Sequence, residues 1–376
     1  MKYRHFKAGN KDLSLLGFGT MRLPMNQDKT INEKEAINLI RHGIDKGINY
    51  IDTAYMYHRG KSEGLVGKAL EDSYREKVFL VDKFPVWVSK GKDDNRRVFN
   101  KQMDRLGMDG VDLYLLHSLN RENWELVKKY EAIDFLEQLK AEGKIKHIGF
   151  SFHDNLELFK EIIDSYPWDC CQIQLNFMDK DFQAGVKGLK YAASKGIPVI
   201  IMEPLKGGKL TAKVPDQISK IWTNSNIVRT PAEWAFKWIG NFPEVMTVLS
   251  GMSNKEQLNE NLEIFDSIEA NSLTDKEHEL INTVSDKYNQ MIKYSCTGCQ
   301  YCLPCPSGIN IPKIMDLVND YYLYEGSDKV YDDYKMWVSP LADSSKCVQC
   351  KKCEDICPQS LKITHLMKEA TQLFVK

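Results

Sequence analysis

Eight short apolar segments alternate with helix-forming segments along the first 268 residues of the chain. None of the eight alternates strictly between apolar and polar residues, which is typical of parallel strands buried on both faces. They occupy residues 15–21, 48–54, 78–84, 111–117, 145–151, 170–177, 197–205 and 245–251. Eight strand-and-helix repeats of about 30 residues each predict an α/β fold, a closed eight-stranded (β/α)8 or TIM barrel of about 250 residues.

The segments between the predicted strands carry helix signals. In residues 32–47, the side chains of Ile37, Ile40 and Ile44 fall on one stripe of a helix. Gly47 follows at the position where a helix commonly ends in glycine. This segment is therefore predicted to be an amphipathic helix that packs its apolar stripe against a strand.

The main alternative to a barrel is a doubly wound open sheet that binds a dinucleotide. The first predicted strand is followed by GFGTMR, which lacks the G-x-G-x-x-G fingerprint of that fold. The phosphate-binding pattern G-x-x-x-x-G-K-[ST] is also missing from the sequence. The barrel is therefore the preferred prediction.

Four polar residues stand at or just after the carboxyl ends of neighbouring predicted strands. Asp52 lies at the end of the second strand and Tyr57 follows it, Lys83 lies near the end of the third, and His117 ends the fourth. Catalytic groups of a TIM barrel come from these strand ends, so we expect the four side chains to meet at one mouth of the barrel. Taken singly, each also has an ordinary structural explanation, such as a loop-capping aspartate or a rim histidine.

The chemistry of the four residues is coherent. A tyrosine has an ordinary pKa near 10, and an adjacent ammonium group lowers that pKa by favouring the phenolate. Lys83 can supply this charge to Tyr57, while Asp52 holds Lys83 charged and in place. His117 can hydrogen-bond a substrate carbonyl oxygen and orient it. The set predicts proton delivery to an oxygen on which negative charge develops.

Over residues 1–268 the sequence resembles the aldo-keto reductases, in NYIDTAYMYHRGKSEGLVGKAL, DKF, DLYLLH, KIKHIGFS, QIQLN, MEPLKGG and SGMSNKEQLNENL. The resemblance implies a barrel that binds NADPH or NADH across its mouth and passes a hydride to an aldehyde or ketone, or takes one from an alcohol. It also implies that Tyr57 is the general acid, that Lys83 and Asp52 tune it, and that His117 orients the carbonyl. Trp87 is a candidate wall of the substrate pocket, with core packing as the alternative.

The resemblance further implies a set of nucleotide contacts. Ser151 and Gln172 match positions that hold the nicotinamide carboxamide, and Met202 stands where a stacking tyrosine is common. Gln257 replaces the arginine that often clamps a 2′-phosphate, so Lys255 is the nearby cation. The resemblance implies NADP rather than NAD only as the default of the family. The implied contacts are Gly19, Thr20, Met21, Asp52, Ser151, Gln172, Met202, Pro204, Leu205, Ser250, Gly251, Ser253, Gln257, Glu260 and Asn261.

Two cysteine runs near the end of the sequence predict iron–sulfur clusters. The first run, from Cys296, is C-x2-C-x2-C-x2-C-P, and the second, from Cys347, is C-x2-C-x2-C-x3-C-P. Zinc is the competing metal, but it is normally bound by two separated C-x2-C pairs. In two-cluster ferredoxins the fourth cysteine of each run ligates the other cluster. The spacing thus predicts two 4Fe-4S clusters, one bound by Cys296, Cys299, Cys302 and Cys357, the other by Cys347, Cys350, Cys353 and Cys305.

Three interpretations of these clusters remain open, because a nicotinamide transfers two electrons as a hydride whereas a cluster passes one at a time. The clusters form an electron relay between the reductase and a ferredoxin- or flavodoxin-type donor, or they only stabilise a tail too small to bury enough surface alone. In the third interpretation the protein is an electron-transfer or binding module with a non-catalytic barrel.

Composition and charge exclude several other classes of protein. The chain has 51 basic and 52 acidic residues, so no overall field attracts nucleic acid. No apolar segment is long enough to cross a membrane, and the expected location is the cytoplasm, where regularly spaced cysteines bind metals rather than form disulfides. Cys170 and Cys171 lie outside both runs and are expected to be structural. The predicted domains are the barrel at 1–270, a helical connector at 271–294 and a mainly helical ferredoxin-like domain at 295–376.

Overall fold

The computed structural model of the chain describes residues 1–28, 30–212, 214–294, 296, 302–357 and 360–375. The chain divides into two units. The first comprises Met1–Leu210 and Arg229–Thr274, and the second comprises Thr211–Val228 and Asp275–Lys376. The segment that interrupts the barrel sequence thus groups with the tail, which the sequence did not indicate. The domain boundaries at residues 270 and 294 stay predictions.

The first unit begins with an antiparallel hairpin of β1 (Tyr3–Phe6) and β2 (Lys11–Ser14). Phe6 and Leu13 are buried in one apolar cluster with Tyr50, Phe79 and Cys170, the first residues of three barrel strands. The hairpin therefore covers the amino-terminal end of the barrel, opposite the strand ends that were predicted to carry the site. Neither strand was predicted from the sequence, because each is only four residues long and is largely polar.

The eight predicted strands form a closed barrel, which confirms the TIM-barrel prediction. All neighbours in the barrel are parallel, and the last strand pairs with the first. The strands are β3 (Leu16–Gly19), β4 (Tyr50–Asp52), β5 (Phe79–Phe84), β6 (Val111–Leu119), β7 (Ile145–Phe152), β8 (Cys170–Gln174), β9 (Val199–Met202) and β10 (Val245–Ser250).

The two-residue period of the strands explains which side chains reach the mouth of the barrel. Tyr50, Val81 and Leu115 belong to the apolar cluster that fills the lower part of the barrel. Side chains two residues further along a strand point to the same face, one layer higher. Asp52, Lys83 and His117 each follow one of these residues by two positions, so they face the interior at its carboxyl end.

Helices surround the barrel strands in the first unit. Asn32 caps the first helix by accepting a hydrogen bond from the amide of Glu35, and Gly47 has a φ of +98° just beyond its end, as the sequence predicted. The helices are α1 (Glu33–Asp45), α2 (Ser62–Ala69), α3 (Asn95–Leu106), α4 (Arg121–Lys129), α5 (Ala132–Ala141), α6 (Leu156–Ser165), α7 (Gly185–Ser194), α8 (Lys209–Ala212, shared with the second unit), α9 (Asp216–Thr223, in the second unit), α10 (Pro231–Gly240) and α11 (Lys255–Asp266).

The second unit is helical in its described residues, as expected. Its remaining helices are α12 (Asp275–Met291), α13 (Ile311–Leu323), α14 (Asp328–Trp337), α15 (Lys352–Asp355) and α16 (Ile363–Phe374). Helices α13 and α16 supply most of an apolar core that includes Ile314, Leu317 and Leu366. No helix in the described parts of the chain is long and apolar enough to cross a membrane.

Candidate active site

A buried ion pair joins the second and third barrel strands at the mouth of the barrel. The Nζ atom of Lys83 lies 2.5 Å from Oδ1 of Asp52, and the two side chains are 1% and 2% exposed. Nζ also donates to the carbonyl oxygen of Thr53 at 2.9 Å and to the hydroxyl of Tyr57 at 3.3 Å. The ammonium group has three hydrogens. All three are therefore directed to an acceptor, and Lys83 is fixed in one orientation.

The turn after β4 carries Tyr57 back over this ion pair. His58 and Arg59 adopt left-handed backbone conformations, with φ values of +49° and +56°. Few residues other than glycine adopt this conformation, because it brings Cβ too close to the backbone. The His58 ring accepts a hydrogen bond from the amide of Leu23 at 3.2 Å, which ties the turn to the loop after β3. Tyr57 is thus held by a specific turn.

The ion pair keeps Lys83 protonated. Burial by itself lowers the pKa of Lys83, but the charge of Asp52 and the hydroxyl of Tyr57 outweigh it, so the pKa lies above its ordinary value. Burial also raises the pKa of Asp52, and Lys83 opposes that shift. The charged pair is the state we infer at neutral pH, because each charge is the main stabilising partner of the other.

The net pKa shift of Tyr57 is the reverse of the expected one. Lys83 does lower the pKa of Tyr57, as expected, but burial raises it by more, and the charges of Asp52 and Glu203 add to the rise. The sequence could not weigh burial against the ammonium charge. In this structure Tyr57 therefore stays protonated at neutral pH and beyond.

His117 lies beside Tyr57 and is neutral. Burial, Lys83 and His153 together lower the pKa of His117 well below its ordinary value. Its ring lies edge-on to the Tyr57 ring, with centroids 6.2 Å apart, and 5.3 Å from the ring of Trp87. Trp87 is 37% exposed, so it lines the mouth rather than the core. Among the described residues, Nδ1 of His117 is buried without a hydrogen-bond partner.

The two residues assigned to the nicotinamide carboxamide are neighbours in the barrel. Ser151 of β7 lies opposite Gln172 of β8 in the strand pairing. The Gln172 amide nitrogen donates to Oδ2 of Asp52 at 3.4 Å, which orients the side chain from the ion pair. Its Oε1 atom is buried and has no partner in the described part of the chain. Gln172 therefore offers an acceptor at the mouth of the barrel.

The other residues assigned to the nucleotide follow the first, seventh and eighth barrel strands. Gly19, Thr20 and Met21 end or follow β3, Met202, Pro204 and Leu205 end or follow β9, and Ser250, Gly251 and Ser253 end or follow β10. Of the three in α11, Asn261 donates to the hydroxyl of Ser250 at 3.0 Å, Gln257 accepts from the amide of Ser253 at 2.9 Å, and Glu260 accepts from Thr230 at 2.8 Å. In this structure these three hydrogen bonds tie α11 to the end of β10, to the loop that follows it and to the start of α10.

The second unit contains a cavity lined by cysteines. Its volume is about 160 Å³. Cys302, Cys305, Cys347, Cys350 and Cys353 line it, so both runs contribute. Cys296 and Cys357 pack against the same apolar core, and Cys299 lies outside the described residues. Within the described ranges no three Cys, His, Asp or Glu residues are grouped around a single metal-ion position.

A barrel with polar side chains converging at the carboxyl ends of its strands is the architecture of a TIM-barrel enzyme. The sequence model of the Aldo/keto reductase family matches residues 15–286, and that of the 4Fe-4S dicluster domain matches residues 295–361. The chain belongs to the aldo/keto reductase family, as the resemblance implied. It is an oxidoreductase with a 4Fe-4S domain after the barrel.

Curated relatives and solved structures agree with this assignment. The chain is 27% identical over 286 residues to a probable aldo-keto reductase of Glycine max, covering 67% of this chain and 80% of the relative. It is 27% identical over 301 residues to the NADH-specific methylglyoxal reductase of Escherichia coli, covering 66% and 89%. The holo form of a Bacillus halodurans aldo-keto reductase matches with a TM-score of 0.63 and 24% identity, over 76% of this chain and 96% of that one. A Klebsiella pneumoniae aldo/keto reductase in complex with NADP and acetate matches with a TM-score of 0.58 and 24% identity, over 74% and 93%.

The ion pair predicts a strong energetic coupling. Asp52→Asn or Lys83→Met alone leaves an unpaired buried group, and each is expected to lower the free energy of unfolding by about 3–5 kcal/mol. The double variant removes both charges and is expected to lose less than the sum of the two single losses. Urea unfolding followed by tryptophan fluorescence measures these differences. Neutralising Arg96 and Glu142, an exposed ion pair, is the control and is expected to cost far less than either single variant of the buried pair. Strictly additive losses at Asp52 and Lys83 would contradict the coupling.

Proposed function

We propose that the protein is a nicotinamide-dependent carbonyl reductase, which reduces an aldehyde or ketone with NADPH or NADH or oxidises the corresponding alcohol. The observation that carries this proposal is the position of the Tyr57 hydroxyl, 3.3 Å from Nζ of Lys83, with the His117 ring beside it. Membership of the aldo/keto reductase family supports it. The Escherichia coli relative is named an NADH-specific methylglyoxal reductase, and methylglyoxal is a small carbonyl compound.

Tyr57 is the proposed general acid. A carbonyl oxygen placed against its hydroxyl accepts the phenolic proton as negative charge develops on that oxygen. The ammonium of Lys83 then stabilises the phenolate that remains, through the contact that already exists. Asp52 maintains Lys83 as an ammonium, so the charge is in place before the reaction begins. The three residues thus act together in a single proton transfer from Tyr57.

His117 is the proposed orienting residue. Because its pKa is lowered well below the ordinary value, the ring is a neutral imidazole with one N–H donor and one acceptor nitrogen. A neutral donor can bind the carbonyl oxygen without competing with Tyr57 as the proton source. Trp87, whose ring centroid lies 5.3 Å from that of His117, is the proposed wall of the substrate pocket.

The residues at the mouth fit a nicotinamide nucleotide. A buried amide oxygen without a partner is costly, so Oε1 of Gln172 favours a ligand that brings a donor. The carboxamide of a nicotinamide carries such a donor. Ser151 lies next to Gln172 in the sheet. When bound, the nicotinamide supplies the hydride. NADP is the proposed cofactor with NAD as the alternative, and the nucleotide contacts are those implied by the resemblance.

Two 4Fe-4S clusters are the proposed occupants of the second unit. Five cysteines line the cavity. Cys305, Cys347, Cys350 and Cys353 are the ligand set proposed for one cluster, and Cys302 is assigned to the other. Cys296, Cys299, Cys302 and Cys357 are the proposed ligands of the other. The hydride of the nicotinamide supplies both electrons of the carbonyl reduction, so electrons held by the clusters serve a step beyond that hydride. We propose that the clusters relay such electrons from a ferredoxin- or flavodoxin-type donor in the cytoplasm.

The first test of the proposal is the variant Tyr57→Phe. Loss of a general acid is expected to lower kcat/KM for aldehyde reduction by a factor of about 100 to 10,000. Nucleotide binding, followed by fluorescence, is expected to persist, because the change removes one hydroxyl and leaves the ion pair intact. If the wild-type protein binds no nucleotide and reduces no carbonyl compound, a non-catalytic barrel is the better explanation. If Tyr57→Phe reduces carbonyls at the wild-type rate, Tyr57 is not the acid.

The pH dependence of reduction tests the direction of the Tyr57 pKa shift. Reduction requires protonated Tyr57, and burial raises its pKa above the ordinary value of 10.0. Tyr57 therefore loses its proton, and the activity falls, only when the pH rises past that value. We expect kcat for reduction to stay level from pH 7 to about pH 9. A decline centred near pH 7 or 8 would mean that the Lys83 charge outweighs burial.

The relay is tested without nicotinamide. The clusters are reduced with dithionite under anaerobic conditions, the excess is removed, and a carbonyl substrate is added. A relay is expected to reoxidise the clusters and return their visible absorbance. Unchanged absorbance over many wild-type turnover times supports structural clusters instead. Iron and acid-labile sulfide assays on the same sample check the metal, and four iron atoms per cluster are expected.

A further inference from the structure

Arg22 occupies a position in the barrel mouth that neither the motifs nor the resemblance singled out. It follows β3, and Ser253 holds its backbone by donating a hydroxyl hydrogen bond to the Arg22 carbonyl at 3.0 Å. Its aliphatic chain runs over Gly251, where an added Cβ would lie 3.0 Å from Cβ and 3.3 Å from Cγ of Arg22. The side chain therefore lies across the loop that follows the eighth barrel strand.

The guanidinium group of Arg22 ends against the loop that follows the seventh strand. A Cβ added to Gly207 would lie 2.7 Å from Nη2 of Arg22. Gly207 has a φ of +66°, which favours glycine, and any side chain there would displace the guanidinium. The loops after strands seven and eight are where TIM barrels most often bind phosphate. Arg22 thus spans that place from one loop to the other.

The guanidinium is available to a ligand. In the described part of the chain it forms no hydrogen bond or ion pair. The carboxylate of Glu203 is nearby, because a Cβ added to Gly207 would lie 3.4 Å from its Oε2 atom. The neighbouring cation Lys206 is engaged, because its Nζ lies 2.9 and 3.2 Å from the two carboxylate oxygens of Asp179. The N–H donors of Arg22 are therefore open to a ligand beside Gly207. A guanidinium binds phosphate oxygens through two parallel hydrogen bonds.

We propose that Arg22 binds the diphosphate of the nicotinamide dinucleotide. The inference rests on the proposed function and adds a residue to it. The side chain runs from Gly251 towards Gly207, so its head belongs to the seventh-strand loop, whereas Gln257, the position assigned to a 2′-phosphate, belongs to α11 after the eighth strand. The diphosphate is present in both NADP and NAD. Arg22 therefore contributes to affinity for either nucleotide and not to the choice between them.

The test compares Arg22→Gln and Arg22→Lys with the wild-type holoenzyme. The dissociation constants of NADP+ and NAD+ are measured by calorimetry or tryptophan quenching. Losing a charge-assisted contact is expected to raise both constants by about 10- to 100-fold in Arg22→Gln. Arg22→Lys keeps the charge without the planar fork, so it is expected to recover part of the loss. Added salt is expected to weaken binding more in the wild type than in Arg22→Gln.

The control is Arg96→Gln, which also removes one positive charge but lies in an exposed pair with Glu142. It is expected to leave nucleotide affinity unchanged, and thermal unfolding of each variant reports whether the fold is retained. Wild-type affinity in folded Arg22→Gln, or a loss confined to NADP+, would overturn the inference while leaving the proposed function intact. If the wild-type protein binds neither nucleotide, the proposed function fails first.

Discussion

The ion pair between Asp52 and Lys83 is the interaction on which the candidate site depends. An ammonium group buried in a barrel would lose its proton unless a carboxylate were fixed beside it. The pair satisfies that condition, and through two further contacts Lys83 also fixes the strand carbonyl of Thr53 and the hydroxyl of Tyr57. Asp52 in turn orients Gln172. A single buried pair therefore links the proposed acid to the proposed nicotinamide contact.

The candidate catalytic residues were predictable because they stand at or just after the carboxyl ends of neighbouring strands, where TIM barrels carry their active sites. Apolar residues at 50, 81 and 115 fix the inward face, and the polar residue two places later must then reach the mouth. Three features were hidden. The Thr53 carbonyl carries no side-chain signal, Glu203 approaches Tyr57 only through the fold, and the burial that raises the Tyr57 pKa depends on the whole mouth. The role of Arg22 could not be predicted, because its position is defined by contacts with two glycines more than 180 residues away in the sequence.

The second unit illustrates a different kind of prediction. Cysteine spacing identified iron–sulfur chemistry without any knowledge of the helices, because a cluster requires thiolates at short and regular intervals. The helices α13 and α16 and their shared apolar core could be recognised only in part, since Pro312 marks a helix start but says nothing about its partner. Spacing likewise could not show that the segment Thr211–Val228 groups with this unit, because that association is not encoded in any local pattern.

The central claim is that reduction takes place at the mouth of the barrel, with the proton from Tyr57 and the hydride directly from the nucleotide. Nicotinamide nucleotide deuterated at both C4 positions tests this most directly, in protein that holds its clusters. The account predicts alcohol product with one deuterium on the former carbonyl carbon, in ordinary water. If the clusters instead supplied both electrons of this reduction, the hydrogen on that carbon would come from solvent. Product without deuterium on that carbon would contradict the account.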